Sequence, residues 1–309
     1  MAAPLVVWRF EDGKPGHDRQ SAGLLRALEA RRPLDIHAIP TAHLRLGWWD
    51  VLRRRLPPSL AALPAPDLMV GAGHGCERPL LAARRARGGR SVYLMKPSLP
   101  LACFDLCFVP RHDGVPAGPR VTLTQGVLND LRPAPGPRTG AVPILIGGPS
   151  KHHGWDEPAL LRQIASIVFG SRDRRFVISD SRRTPATTSA KLADFVQQGV
   201  SVLSHRTVGP DWLRETLAQA PDAWVTADSV SMLFEALTAG CAVGVLAVPV
   251  IRADRIAAIA PQLARDGLVA THEQWLLDGR LPRAATPLAE AERCADIVCA
   301  QLLDSPGQR

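Results

Sequence analysis

The chain has 309 residues, of which 46% are hydrophobic and 21% charged, with a formal net charge of +8. That length can bury a large core, makes two domains the default, and has the composition of an ordinary globular protein. No apolar run approaches the about 18 residues of a membrane span, and Met1–Val7 is too short and lacks the basic start of a signal peptide, so a cytoplasmic protein is expected. The six cysteines, at 76, 103, 107, 241, 294 and 299, form no C-x-x-C pair and read as small core residues in a reducing compartment. The positive charge calls for an anionic partner. Nucleic acid is not expected, because the basic residues are scattered and the chain has one tyrosine.

Apolar runs alternate with helical patterns from the first residues onward. "PLVVWRF" reads as a strand, and a helix carrying Leu24, Leu25 and Leu28 follows it. "DLMVGAG", an Arg- and Ala-rich helix, "SVYLM", "DLCFVP" and "RVTLTQG" come next. The pattern breaks at "RPAPGPRT", residues 132–139, whose three prolines and one glycine read as a linker. It restarts with "AVPILIGG" and a helix capped by Asp156, with Leu160, Leu161, Ile164, Ile167 and Val168 on one face. "RRFVISD", "VSVLSH", "AWVTAD" and "AVGVLAV" are further strands, and a last helical pattern runs over Pro287–Leu303.

This alternation implies an α/β protein with two Rossmann-like domains of parallel strands. Residues 1–131 form the first, 132–139 the linker and 140–286 the second, and 287–309 form a terminal helix.

In open parallel sheets ligands bind where strands end, so the loops after strands carry the chemistry. "FEDGKPGHDRQ", residues 10–20, places Asp12, Lys14, Gly16 and His17 in one strand-to-helix turn. A histidine there serves as a base or as a donor to an anionic oxygen; the alternative is a solvated surface turn. "GAGHGCE", residues 71–77, lacks the full dinucleotide fingerprint, which excludes a NAD assignment on this motif. "IGGPSKHHGW", residues 146–155, offers the Gly147 and Gly148 amides, the Ser150 hydroxyl and the Lys151 charge as a phosphate cradle, though it is not a Walker A loop. Its two adjacent histidines diverge on most backbones, so no joint metal site is expected. "SDSRRTP", residues 179–185, can add Arg182 or Arg183 to the same anion, or be a solvated basic loop.

"ADSVSMLFEALTAG", residues 227–240, opens a helix near Ser229–Ser231, whose first amides attract an anion. Glu235 lies one turn after Ser231 on the same face and leans back toward the helix start. A carboxylate is a poor neighbour for phosphate but a double acceptor for vicinal hydroxyls. Diphosphate on the amides and ribose on Glu235 is a sugar-nucleotide arrangement; an amphipathic helix with an exposed glutamate is the alternative.

"DGKPGHDRQ", "IGGPSKHHGW", "SDSRRTP" and "TADSVSMLFEALTAG", in this order, resemble the motifs of the mitochondrial-fission ELM-like family, including its bacterial members. The resemblance runs over nearly the whole length and implies the GT-B glycosyltransferase architecture. Two Rossmann-like domains would face a cleft, and the C-terminal helix would pack back on the N-terminal domain. The last motif is also similar to the donor site of the peptidoglycan lipid-intermediate N-acetylglucosaminyltransferase. By that likeness Glu235 holds the ribose, Ser229 and Ser231 lie near the diphosphate, and His17 stands on the acceptor-side loop. "GAGHGC" is less basic than the Gly-Arg-Arg type of turn associated with the family.

The expectation is a metal-independent inverting glycosyltransferase. Its donor site is Gly147, Gly148, Ser150, Lys151, Arg182, Ser229, Ser231 and Glu235. His17 acts as base with Asp12 in reserve, and Lys14 and Gly16 lie on the acceptor side. No cofactor or metal is expected, because the nucleotide-diphosphate sugar is a substrate and no DxD-type motif ends a strand. A sugar-nucleotide epimerase and a non-catalytic recruiting protein on a membrane surface are the rivals.

"HLRLGWWDVLRRRLPP", residues 43–58, mixes Trp48 and Trp49 with Arg45, Arg53, Arg54 and Arg55. One reading is an amphipathic segment at an anionic membrane surface, holding the protein peripherally on the inner membrane face near a lipid-linked acceptor. The other is a docking helix with both tryptophans in the core.

Overall fold

The computed structural model describes residues 3–304 except 45, 134, 135, 172, 285 and 287. Arg45 of the amphipathic stretch, Ala134 and Pro135 of the linker and Pro287 of the last helical pattern lie outside the described residues. The chain forms two compact units, Met1–Asp130 with Ala289–Arg309, and Leu131–Leu288.

The first unit holds β1 (Leu5–Glu11), β2 (Leu34–Pro40), β3 (Leu68–Ala72), β4 (Arg90–Leu94), β5 (Leu106–Pro110) and β6 (Val121–Thr124), with α1 (Pro15–Glu29), α2 (Trp48–Arg53), α3 (Pro58–Ala61) and α4 (His74–Arg87). The strands are parallel in the order β2-β1-β3-β4-β5-β6. β3 and β5 are buried along their whole length, which is why they read as unbroken apolar runs. α1 starts at Pro15, whose missing N–H costs nothing in a first turn, and it buries Leu24, Leu25 and Leu28 against the sheet. Gly23 lets the helix pass the chain at Asn129, where a Cβ would lie 2.1 Å from the carbonyl oxygen. β2 is additional to the strands expected. It is an edge strand whose Asp35, Ile36 and Ala38 are exposed, so its pattern lacks a clean apolar face.

The second unit holds β7 (Val142–Leu145), β8 (Phe176–Ser179), β9 (Ser201–Leu203), β10 (Asp222–Thr226), β11 (Ala242–Leu246) and β12 (Val269–Thr271). Its helices are α5 (Glu157–Gly170), α6 (Ala186–Leu192), α7 (Trp212–Gln219), α8 (Val230–Thr238), α9 (Ile259–Arg265) and α10 (His272–Asp278). The strands are parallel in the order β12-β11-β10-β7-β8-β9. Asp156 caps α5 by accepting from Ala159 N at 2.9 Å, and Leu160, Ile164, Ile167 and Val168 face the core. Gly244 leaves room for the Trp224 ring, 2.4 Å from where a Cβ would stand.

α11 (Glu290–Val298) returns the chain to the first unit. Ala291, Cys294, Ala295 and Val298 enter the same core as Leu24 and Leu28 of α1. Arg31 donates to Asp296 at 2.6 Å, Arg32 to Asp304 at 2.6 Å, and Gln125 N to Glu290 at 2.9 Å. All six cysteines are free thiols, and burial pushes Cys76 and Cys107 up to about 12 and Cys241 up to about 11. These three are packing residues.

Candidate functional site

Each sheet has one place where neighbouring connections leave in opposite directions, and it is at such switch points that open α/β sheets bind their ligands. In the first unit it lies between β1 and β3, and in the second between β7 and β10. The expected motifs fall at both places.

After β1, the His17 imidazole Nδ1 is 2.8 Å from Asp12 Oδ2. Asp12 is buried, accepts from Lys14 N at 3.1 Å and lies 3.8 Å from the Lys14 ammonium, which is otherwise exposed. With Nδ1 committed to the carboxylate, Nε2 is left for a ligand, and among the described residues it has no protein partner. Gly16 faces open space. The loop after β3 gives way to this pair. Gly73, at φ 83°, would place a Cβ 2.1 Å from His17 Nδ1 and 2.6 Å from Asp12 Oδ2. Gly75 would place one 2.8 Å from the Asp12 Cβ. Gly73 and Gly75 of "GAGHG" therefore make room for the dyad, while Gly71 gives way to Cys76 and Leu80. Burial and the Asp12 charge push the neighbouring Asp18 carboxyl up.

Glu77, buried one turn into α4, anchors the loop after β4. It accepts from Ser98 N at 2.8 Å, Ser98 Oγ at 2.6 Å, Leu99 N at 3.1 Å and Tyr93 Oη at 3.1 Å, and pairs with His74 Nδ1 at 2.9 Å. Burial alone would raise this carboxyl, but the hydrogen bonds from Ser98, His74 and Tyr93 outweigh it and hold it below its ordinary value.

In the second unit three loops are tied together by Asp228, at the end of β10. Its side chain is fully buried, and Oδ2 accepts from Gly148 N at 3.0 Å and from Arg183 Nη2 at 2.6 Å. Arg183 Nη1 also donates to the Gly148 carbonyl at 2.6 Å, and Gly147 N donates to Thr226 Oγ1 at 2.8 Å. A Cβ on Gly147 would stand 2.2 Å from Asp228 Oδ2, and one on Gly148 would stand 2.0 Å from the Arg183 carbonyl oxygen. Here the expectation of open amides needs correcting. The protein's own carboxylate already fills the glycine cradle, and both N–H groups are satisfied. Between the two arginines, Arg183 reaches inward; Arg182 is exposed, with no protein partner among the described residues.

Ser150 is tied into its own turn, its hydroxyl accepting from His152 N and His153 N at 3.1 Å each, while Lys151 is exposed. His152 Nδ1 lies 2.7 Å from Asp254 Oδ2. The two histidines do diverge: His153 is 1% exposed, its Nδ1 lacks a protein partner, and burial holds it below its ordinary value. Asp228 Oδ1 is likewise buried without a partner.

α8 begins at Ser229, which caps it without a side-chain bond, so the first-turn amides remain available. Ser231 is exposed in that turn, whereas Glu235, behind it, is 6% exposed. The exposed-glutamate alternative is therefore excluded by its burial. Among the described residues no group of three or more His, Cys, Asp or Glu side chains is arranged to hold a metal ion.

α2 shows why residues 43–58 are not a docking helix with tryptophans in the core. Asp50 ties back to Gly47 N at 2.8 Å and only Val51 is buried, beside Leu46, Leu81 and Ala82. Trp48 is 51% exposed, Trp49 70% and Leu52 59%. The Arg53 guanidinium lies 5.6 Å over the Trp49 ring, and Arg54 ends the helix at φ 54°. No described helix is long and apolar enough to cross a membrane.

A comparison with curated proteins gives no match. Among solved structures the chain is similar to the UDP-GlcNAc 2-epimerase from Methanocaldococcus jannaschii (TM-score 0.57, 13% identity, 96% of this chain and 100% of that one). It is also similar to MurG of Acinetobacter baumannii (0.53, 15%, 96% and 100%) and to S. aureus MnaA in a UDP co-structure (0.53, 12%, 99% and 99%). At these identities the likeness speaks for the fold, which is of the GT-B type. The family model described as mitochondrial fission ELM1 matches residues 15–302, and the chain belongs to that family.

Proposed function

We propose that the protein is a metal-independent, inverting glycosyltransferase that takes its sugar from a nucleotide-diphosphate donor. The observation that carries this reading is the second unit's switch point. There the uncapped first turn of α8 lies on the loop after β10, with the buried Glu235 one turn behind. The amides of that turn suit a diphosphate, and a desolvated carboxylate suits the two hydroxyls of a ribose. Ser229 and Ser231 flank the phosphates, and Lys151 and Arg182, both exposed, add positive charge that balances the leaving group without a metal ion. Gly147 and Gly148 act indirectly, by admitting Asp228 and Arg183. In the first unit His17, oriented by Asp12, takes the acceptor's proton, with Lys14 and Gly16 beside it.

Support for the nucleotide comes from similar structures whose descriptions name UDP or UDP-GlcNAc. The likeness to the Methanocaldococcus epimerase favours sugar-nucleotide interconversion as the second reading. Incubating a UDP-sugar without acceptor separates the two, since only an epimerase then gives a new sugar nucleotide. Calorimetric titration with nucleoside diphosphates tests the shared premise, and no binding leaves the recruiting-protein reading.

Glu235→Gln is expected to weaken nucleotide binding by about 1.5 kcal/mol, roughly tenfold, by replacing a charged double acceptor with a neutral one. Glutamine is the informative substitution, because alanine would also leave a cavity at this buried position. Equal affinities of variant and wild type end the ribose assignment.

α2 is proposed to place the first unit on an anionic membrane surface, where a lipid-linked acceptor is presented. Its two exposed tryptophans suit a headgroup region, and each nearby arginine adds about 1 kcal/mol. Replacing Trp48 and Trp49 with serine is expected to abolish sedimentation with phosphatidylserine vesicles at low salt. The melting temperature should stay unchanged, because neither ring supports the core. A wild type that ignores such vesicles points to a soluble acceptor.

A further inference from the structure

His152 is held more firmly than a surface-loop residue needs to be. Its carbonyl accepts from Ile251 N at 2.9 Å and Arg252 N at 3.2 Å. On either side, Ser150 N donates to the His153 carbonyl at 2.9 Å and Gly154 N donates to the Pro249 carbonyl at 2.8 Å. The loop after β7 is thus fastened to the loop after β11, and the ring stands on a fixed backbone. Asp254 is fixed as well, its Oδ1 accepting from Ile256 N at 3.0 Å and Ala257 N at 3.2 Å while Oδ2 meets His152 Nδ1. Burial would raise this carboxyl, but those amides and the imidazole hold it low.

A dyad built this way offers Nε2 to something outside the protein, since among the described residues that nitrogen has no partner. The surroundings indicate the sign of the ligand. The loop that carries His152 also reaches Asp228, through the Gly148 N–H at 3.0 Å, and Asp228 directly precedes Ser229 at the start of α8. The dyad thus stands on the loop that is tied to the start of α8. There Asp228 is already matched by Arg183, and Asp254 is shared between His152 and Arg252, whose Nε is 3.7 Å away. Lys151 adds an exposed cation. The glycine amides are occupied, so a diphosphate on the α8 turn needs a further donor for its terminal oxygens.

We propose that His152, as the imidazolium whose Nδ1–H is held by Asp254, donates from its Nε2–H to the terminal phosphate of the nucleotide diphosphate, with Asp254 as its positioning residue. This rests on the donor-site reading above. The test is calorimetric titration of the intact wild type, H152Q, D254N and the double variant with UDP, ADP and GDP, each against its monophosphate. Thermal melting of every variant accompanies it. H152Q is expected to lose about tenfold or more in diphosphate affinity and to keep monophosphate affinity within about twofold, since only the terminal phosphate loses its donor. D254N should lose less, in the same direction, and the double variant should bind like H152Q alone, because Asp254 acts through the ring. Unchanged diphosphate affinity in H152Q, or an equal loss for both ligands, overturns the assignment while leaving the donor site standing. A wild type that binds none of the six nucleotides overturns the donor site and this inference together.

Discussion

His17→Ala is expected to lower turnover by roughly 10²–10⁴-fold, the range of a lost general base, while nucleotide affinity stays at the wild-type value. The asymmetry follows from where the residues lie. His17 belongs to the first unit and the proposed nucleotide ligands to the second. Asp12 is held 2.8 Å from Nδ1, which fixes the ring and leaves Nε2 as the proton acceptor. Its burial makes Asp12 a poor reserve base and a good orienter, so Asp12→Asn should slow turnover in the same direction. Nucleoside diphosphate released from the donor in the presence of acceptor measures the rate, and calorimetry measures the affinity. A His17→Ala protein with full turnover removes the histidine from the mechanism.

Asp228→Ala is expected to destabilise the second unit by about 3 kcal/mol, because it strips the acceptor from a buried N–H and the counter-charge from Arg183. For a unit of this size that is a fall of roughly 6–12 °C in melting temperature. Arg183→Ala should cost a comparable amount, because it leaves the fully buried Asp228 carboxylate without its counter-charge, while the half-exposed Arg183 left behind by Asp228→Ala is reached by water. Arg182→Ala should leave stability unchanged. Urea denaturation compares the three, and an Asp228→Ala protein within about 0.5 kcal/mol of wild type shows that the loops hold without their common tie.

The parallel sheets were legible because their central strands are unbroken apolar runs, and such runs separated by helical periodicity admit few other folds. β2 escaped because an edge strand keeps one neighbour and exposes Asp35, Ile36 and Ala38. β12 escaped because its last residue, Thr271, is also the cap of α10, so no turn separates strand from helix. The site divides along a different line. Gly147, Gly148 and the α8 turn stand out as local patterns, but Asp228 acquires its role from partners 80 and 45 positions away, which no local spacing encodes. In the same way Gly73 looked like half of a nucleotide fingerprint. Its meaning lies in His17, which reaches it across the switch point from a different loop. Trp48 and Trp49 could not be assigned from pattern alone, because a six-residue helix is too short for its periodicity to tell an inward face from an outward one.

The return of α11 has a consequence for synthesis on the ribosome. The second unit is continuous in sequence, so it can close its core as soon as its last strand and helix have emerged. The first unit cannot: the α1 surface around Leu24 and Leu28 waits for Ala291, Ala295 and Val298, and Gln125 waits for a partner 165 residues downstream. The portion made first is therefore the portion finished last. Until then its apolar α1 face is open to chaperones, and a nascent chain stalled before residue 290 would carry a folded second unit behind an unfinished first one.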